Sequence, residues 1–123
     1  VLLLNAVIEA SGRPIEFVHF PTLAASDEAF FKPFENLNLQ GARAYVGAIH
    51  HLHGPDGLRT QIECIKRFLP EFGLAAPCGF GRAPERPGQL LSDNVGDSAR
   101  DYIGEIIQEH VKAVEILRDV MSN

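Results

Sequence analysis

The 123-residue chain is long enough for one compact domain and too short for two. Hydrophobic residues make up 46% and charged residues 22%, a globular balance that argues against disorder. The formal net charge of -5 and the lack of any Lys/Arg run argue against nucleic acid as a bulk partner, because phosphate binding needs a basic surface.

In chain order, residues 1–10 read as a helix, with Leu3, Ala6, Val7 and Ala10 at three-four spacing. Ser11-Gly12-Arg13-Pro14 stops it. Residues 15–20 are β-branched and aromatic and predict a strand that Pro21 closes. Ser26 or Asp27 can cap a helix over 28–37, which Pro33 interrupts. Residues 42–50 predict a second strand, apolar enough to be covered on both faces. A His- and Gly-rich loop over 50–57 then leads to a helix over 58–68, with Leu58, Ile62, Ile65 and Leu69 as its buried stripe. Residues 72–76 predict a third strand, followed by the turn Pro77-Cys78-Gly79-Phe80-Gly81-Arg82 and a Pro-rich loop to Gln89. Ser98 and Asp101 have capping-box spacing, so the closing helix is expected from there to about Val120. Its expected apolar face is Ile103, Ile106, Ile107, His110, Val114, Leu117 and Met121.

Alternating helices and strands imply a parallel sheet with right-handed crossovers. Three strands alone leave two open edges. The expected fold is therefore α/β: a partial (β/α)8 (TIM) barrel, its last three strand–helix units with parallel strands, since a full barrel takes roughly 250 residues. No apolar run approaches the ~20 residues needed to span a bilayer. Asn5 and Glu9 interrupt Val1-Leu2-Leu3-Leu4 too soon for a signal peptide. The first residue is Val, which fits a processed chain or a piece of a longer one. Two cysteines are few for a secreted disulfide scaffold, so Cys64 and Cys78 are expected as free thiols in a reducing, cytoplasmic setting. Cys64 lies within an apolar helical pattern and reads as a small core residue.

The reactive residues gather after strands. His19 ends the first, His50, His51 and His53 follow the second, and Cys78 and Arg82 follow the third. Parallel α/β folds bind ligands at the carboxyl ends of their strands. His19 and His50 are candidate general acid/base groups, each with a structural alternative as an internally bonded strand residue. His51 and His53 are rim residues, and H-H-x-H is not the helical spacing of a metal motif. Cys78, between Pro77 and Gly79, is a candidate nucleophile or soft metal ligand. Gly79, Gly81 and Arg82 can form a turn that binds a carboxylate or phosphate. His110 falls on the closing helix's apolar face and reads as a core or interface residue.

Four stretches carry a family likeness: Phe17-Val18-His19-Phe20-Pro21, residues 27–34, Val46-Gly47-Ala48-Ile49-His50 with Gly54 and Gly57, and residues 72–82 with their Cys-Gly-Phe-Gly-Arg. Together they resemble the carboxyl-terminal part of the cobalamin-independent methionine synthase-like and uroporphyrinogen decarboxylase-like barrel proteins. The likeness spans residues 1–91 and leaves 92–123 as a terminal loop and helix. It implies that the three strands are similar to the last three of a (β/α)8 barrel. It also implies that Cys78 matches a cysteine that ligates zinc, which activates a thiol substrate for methyl transfer. Those synthases use a His-x-Cys pair and a glutamate as well, and no His-x-Cys occurs here. The expectation is a methyltransferase-like enzyme portion acting on a small anionic or thiol substrate, within a homo-oligomer or with the remainder of the barrel on another chain. The alternative is a non-catalytic α/β protein that oligomerises or completes a partner's barrel.

Overall fold

The computed structural model describes residues 1–24, 26–50, 53–78 and 95–123, with side chains of the last helix described from Asp101. Helix α1 (Leu2–Ala10) leads to strand β1 (Phe17–Pro21). Helix α2 (Glu28–Phe31) continues as a 3₁₀ turn (Lys32–Asn36) into β2 (Arg43–Gly47), followed by α3 (Gly54–Lys66), β3 (Gly73–Ala75) and α4 (Val95–Ser122). Gly12, at φ +65, takes the left-handed conformation that ends α1. Asp27 caps α2, its side chain accepting the Phe30 N–H. Pro33 lies at the start of the 3₁₀ turn. It has no N–H to donate and its ring crowds the preceding turn, so the expected ten-residue helix becomes two short pieces.

The sheet is parallel, in the order β1-β2-β3, with Phe17 opposite Arg43, His19 opposite Tyr45, and Tyr45 opposite Gly73. Val18, Phe20, Ala44, Val46 and Leu74 alternate along the strands and join one core with Ile8 of α1, Phe31 of α2, Ile62 and Ile65 of α3, and Ala113 and Ile116 of α4. All four helices thus pack on the same face of the sheet. Phe31, Ile62, Ile65 and Val46 are the largest of the fully buried side chains. The opposite face carries Phe17, His19, Pro21, Arg43, Tyr45, Gly73 and Ala75. Phe17 is 58% exposed there and stacks edge-on against Tyr45 at 5.8 Å. Among the described residues β2 is therefore covered on one face, where its apolar sequence predicts cover on both.

Two helix starts differ from expectation. α3 begins at Gly54 rather than Leu58, because Gly54 (φ +80) reverses the chain and Pro55 supplies a helical φ in the first turn. α4 begins at Val95, so Ser98 lies inside the helix and is not its cap. The buried face of α4 also differs. Ile106, Ala113, Ile116 and Val120 are buried, whereas Ile103, Ile107 and Val114 are 41%, 55% and 44% exposed. The helix carries two apolar arcs, and the one containing small Ala113 is the one that docks. No described helix is long and apolar enough to cross a membrane.

Candidate functional site

The three strand ends are tied together by short contacts. The Thr22 N–H and Oγ1 both donate to the Gly47 carbonyl, at 3.1 and 3.0 Å. The Ile49 N–H donates to the Ala75 carbonyl at 3.0 Å. His19 Nε2 donates to the Ala76 carbonyl at 2.8 Å, so a β1 side chain reaches across β2 to the end of β3. Gly47 makes this crossing possible. A Cβ there would sit 2.7 Å from the Pro77 Cα, 3.0 Å from the Pro21 Cα and 3.1 Å from the Ala76 oxygen.

His50 follows β2 by three residues and is half-buried. Burial holds its imidazole below the ordinary value of 6.5, His53 lowers it further, and a ring hydrogen bond to the Thr22 backbone works the other way. Its Nε2 is buried without a hydrogen-bond partner among the described residues. His53 precedes α3, and its ring stands edge-on to His50 at 6.2 Å. The same ring fills the space beside Gly57, where a Cβ would meet His53 Nε2 at 2.7 Å. His50 also lines a cleft of about 190 Å³ between the start of α3 and the middle of α4, with Pro55, Leu58, Glu109, Lys112 and Ile116. Across α3, buried Gln61 donates from Nε2 to the Leu23 and Ala24 carbonyls at 2.9 and 2.8 Å, holding the loop that follows β1.

Among the expected site residues, His19 lies on the face of the sheet opposite the described helices, while His50 lies in the cleft on the helix side. The described contacts do not join the two. Cys78 is a free, exposed thiol three residues past the end of β3. Cys64 is half-buried, and burial pushes its thiol up, as its place in the apolar pattern leads one to expect. His110 is half-buried, its Nδ1 donating to the Ile106 carbonyl at 2.8 Å. His51, Gly79, Gly81 and Arg82 lie outside the described residues. Among the described residues no group of three or more His, Cys, Asp or Glu side chains gathers as a metal site.

Thr22 and Gln61 are the residues that sequence reasoning misses. Gln61 carries a readable signal, a polar side chain on the stripe of Leu58, Ile62 and Ile65. Thr22 carries only its position directly after β1. Compared with protein-family models, curated proteins and solved structures, the chain matches none.

Proposed function

We propose that this chain forms the last three strand–helix units of a (β/α)8 barrel enzyme similar to the cobalamin-independent methionine synthases and uroporphyrinogen decarboxylases. It would act in the cytoplasm on a small anionic or thiol substrate. The observation that carries this reading is the one-sided sheet. Its parallel strands run in sequential order, the described helices pack on one face, and Phe17, His19 and Tyr45 stand on the other. A barrel wall has this form, with helices outside and side chains filling the lumen. A doubly wound sheet reverses its order and takes helices on both faces.

In this reading the strand ends are the active-site end. The bond from His19 Nε2 to the Ala76 carbonyl fixes the tautomer and leaves Nδ1 as the proton acceptor, which suits a general base. His50 is kept neutral by burial and is the second acid/base candidate. Cys78 would act as the thiolate that attacks or binds, and Gly79, Gly81, Arg82 and His51 would hold the anion. Methyl transfer follows from the resemblance alone. Zinc, which that resemblance implies, would find one ligand in Cys78. The described residues offer no second and third donor beside it, so no step is assigned to the metal.

The alternative is a non-catalytic α/β protein that self-associates or completes another chain's barrel. The exposure of Leu2 (88%), Leu3 (78%) and Leu23 (66%) favours it. Mass-resolved alkylation of the native protein separates the two readings, with small thiols and carboxylates added as probes. The enzyme reading expects Cys78 to label before Cys64, and one probe class to protect Cys78 alone. It also expects Arg82→Ala to remove that protection without changing stability by more than about 0.5 kcal/mol. Labelling of Cys78 that no probe alters favours the non-catalytic protein.

A further inference from the structure

Helix α4 carries more apolar surface than the described residues cover. Ile106, Ala113, Ile116 and Val120 are buried and form one arc. A second arc lies about 120° around the helix. It comprises Ile103 (41% exposed), Ile107 (55%), Val111 (52%) and Val114 (44%), with half-buried Leu117 and Met121 continuing it. Ile103, Ile107, His110, Val114, Leu117 and Met121 follow one another at alternating four- and three-residue steps. That is the spacing of a two-stranded coiled-coil seam, sustained over about 27 Å of helix.

The seam is complementary to itself when reversed. About the level of Lys112, an antiparallel second copy sets Ile103 against Met121, Ile107 against Leu117, and His110 against Val114. Val111 then meets its own counterpart. Gly104 supplies an independent observation. It sits inside a helix, where glycine is destabilising relative to alanine, and a Cβ built on it would meet nothing within 4 Å. Packing among the described residues gives no reason for it. In the antiparallel arrangement Gly104 faces Arg118 of the second copy. The missing side chain gives that guanidinium a path to Asp101, one turn earlier. Asp101 and Arg118 are both exposed. A parallel arrangement would instead set His110 beside His110, and would align the two helix dipoles unfavourably.

We propose that this face of α4 is a homodimer seam, in which two copies pack their α4 helices antiparallel across a two-fold axis at the level of Lys112. The seam uses none of the strand-end residues, so its failure leaves the barrel reading untouched.

Sedimentation equilibrium of the full chain tests it, over about a thousandfold range of concentration because a seam of this size belongs at the weak end of protein interfaces. The expected result is a reversible monomer–dimer equilibrium. Val114→Glu and Ile107→Glu change exposed positions and should give a monomer with unchanged helicity and, at concentrations where the unsubstituted chain is also monomeric, an unchanged thermal midpoint. Gly104→Ala should raise the thermal midpoint while weakening self-association. Asp101→Arg and Arg118→Asp should each weaken the dimer by about three- to tenfold, and the two together should restore it. A monomer at every concentration overturns the proposal, as does a dimer indifferent to Val114→Glu. A different polypeptide that co-purifies and is released by Val114→Glu assigns the face to that partner instead. Failure of the double charge swap to restore association overturns the antiparallel geometry.

Discussion

His50 and Gly47 show how single residues set the chemistry and shape of the strand ends. The folded imidazole of His50 is lowered, first by burial and then by His53, so the folded protein binds fewer protons than the unfolded chain just below the ordinary value of 6.5. Stability is therefore fully present above that value and falls as pH drops through it, levelling off below the folded value. His50→Gln should flatten this slope in denaturant melts between pH 7 and about 5. An unchanged slope would move the effect to another group. Gly47 and Gly73 make a contrasting pair. A Cβ on Gly47 meets backbone at 2.7 Å (Pro77 Cα) and 3.0 Å (Pro21 Cα), so Gly47→Ala should cost about 1–3 kcal/mol and part His19 from the Ala76 carbonyl. A Cβ on Gly73 meets only the Tyr45 ring, at 2.6 Å, and a ring can swing away. Gly73→Ala should therefore cost less than Gly47→Ala in the same melts, and the reverse order would contradict the crowded strand ends.

At the scale of elements, periodicity finds what packing obeys and misses what local chemistry overrides. β2 and β3 fall within the expected segments, and β1 overlaps its own but takes in Pro21, which the sequence reads as its stop; β-branched and aromatic residues mark all three. The start of α3 is hidden because Gly54-Pro55-Asp56-Gly57 has loop composition, although a Pro in the first turn suits a helix. The docked face of α4 is hidden because two apolar arcs compete and sequence does not say which meets α3. Within the site, the position of Cys78 after β3 is legible, whereas His19, expected at the end of its strand, lies inside β1 because the strand runs on to Pro21. The separation of His19 from His50 across the sheet is not legible, since it depends on which way the chain turns after Gly47. Gln61 belongs to this scale as well. It is the polar member of the α3 stripe and satisfies two carbonyls of the loop after β1. Gln61→Met keeps the volume and leaves both carbonyls without that donor, which should cost about 1–3 kcal/mol. Hydrogen exchange should show faster opening of residues 22–24. A loss of stability with unchanged exchange there would mean that Gln61 merely fills space.

For the molecule as a whole, the decisive asymmetry lies between the two faces of one sheet. Val18 is 8% exposed and packs into the core with residues of all four helices, while its neighbour Phe17 is 58% exposed on the opposite face. Removing buried side-chain volume from Val18 combines lost transfer free energy with a cavity, so Val18→Ala should cost about 2 kcal/mol. Phe17 has only a partial contact to lose, the edge-on pair with Tyr45. Phe17→Ala should therefore cost about 0.5–1.5 kcal/mol in the isolated chain. The two substitutions should rank differently once the sheet is covered. If further strands or another chain close over the Phe17 face, Phe17 becomes interior to the assembly. Phe17→Ala should then weaken association by more than it weakens the isolated fold, whereas Val18→Ala should do the opposite. Denaturant melts of the isolated chain, set beside the affinity of each variant for the polypeptide that covers the Phe17 face, give the four numbers required. An association left unchanged by Phe17→Ala would mean that the exposed face is solvent surface in the working protein, and the barrel reading would lose its main support.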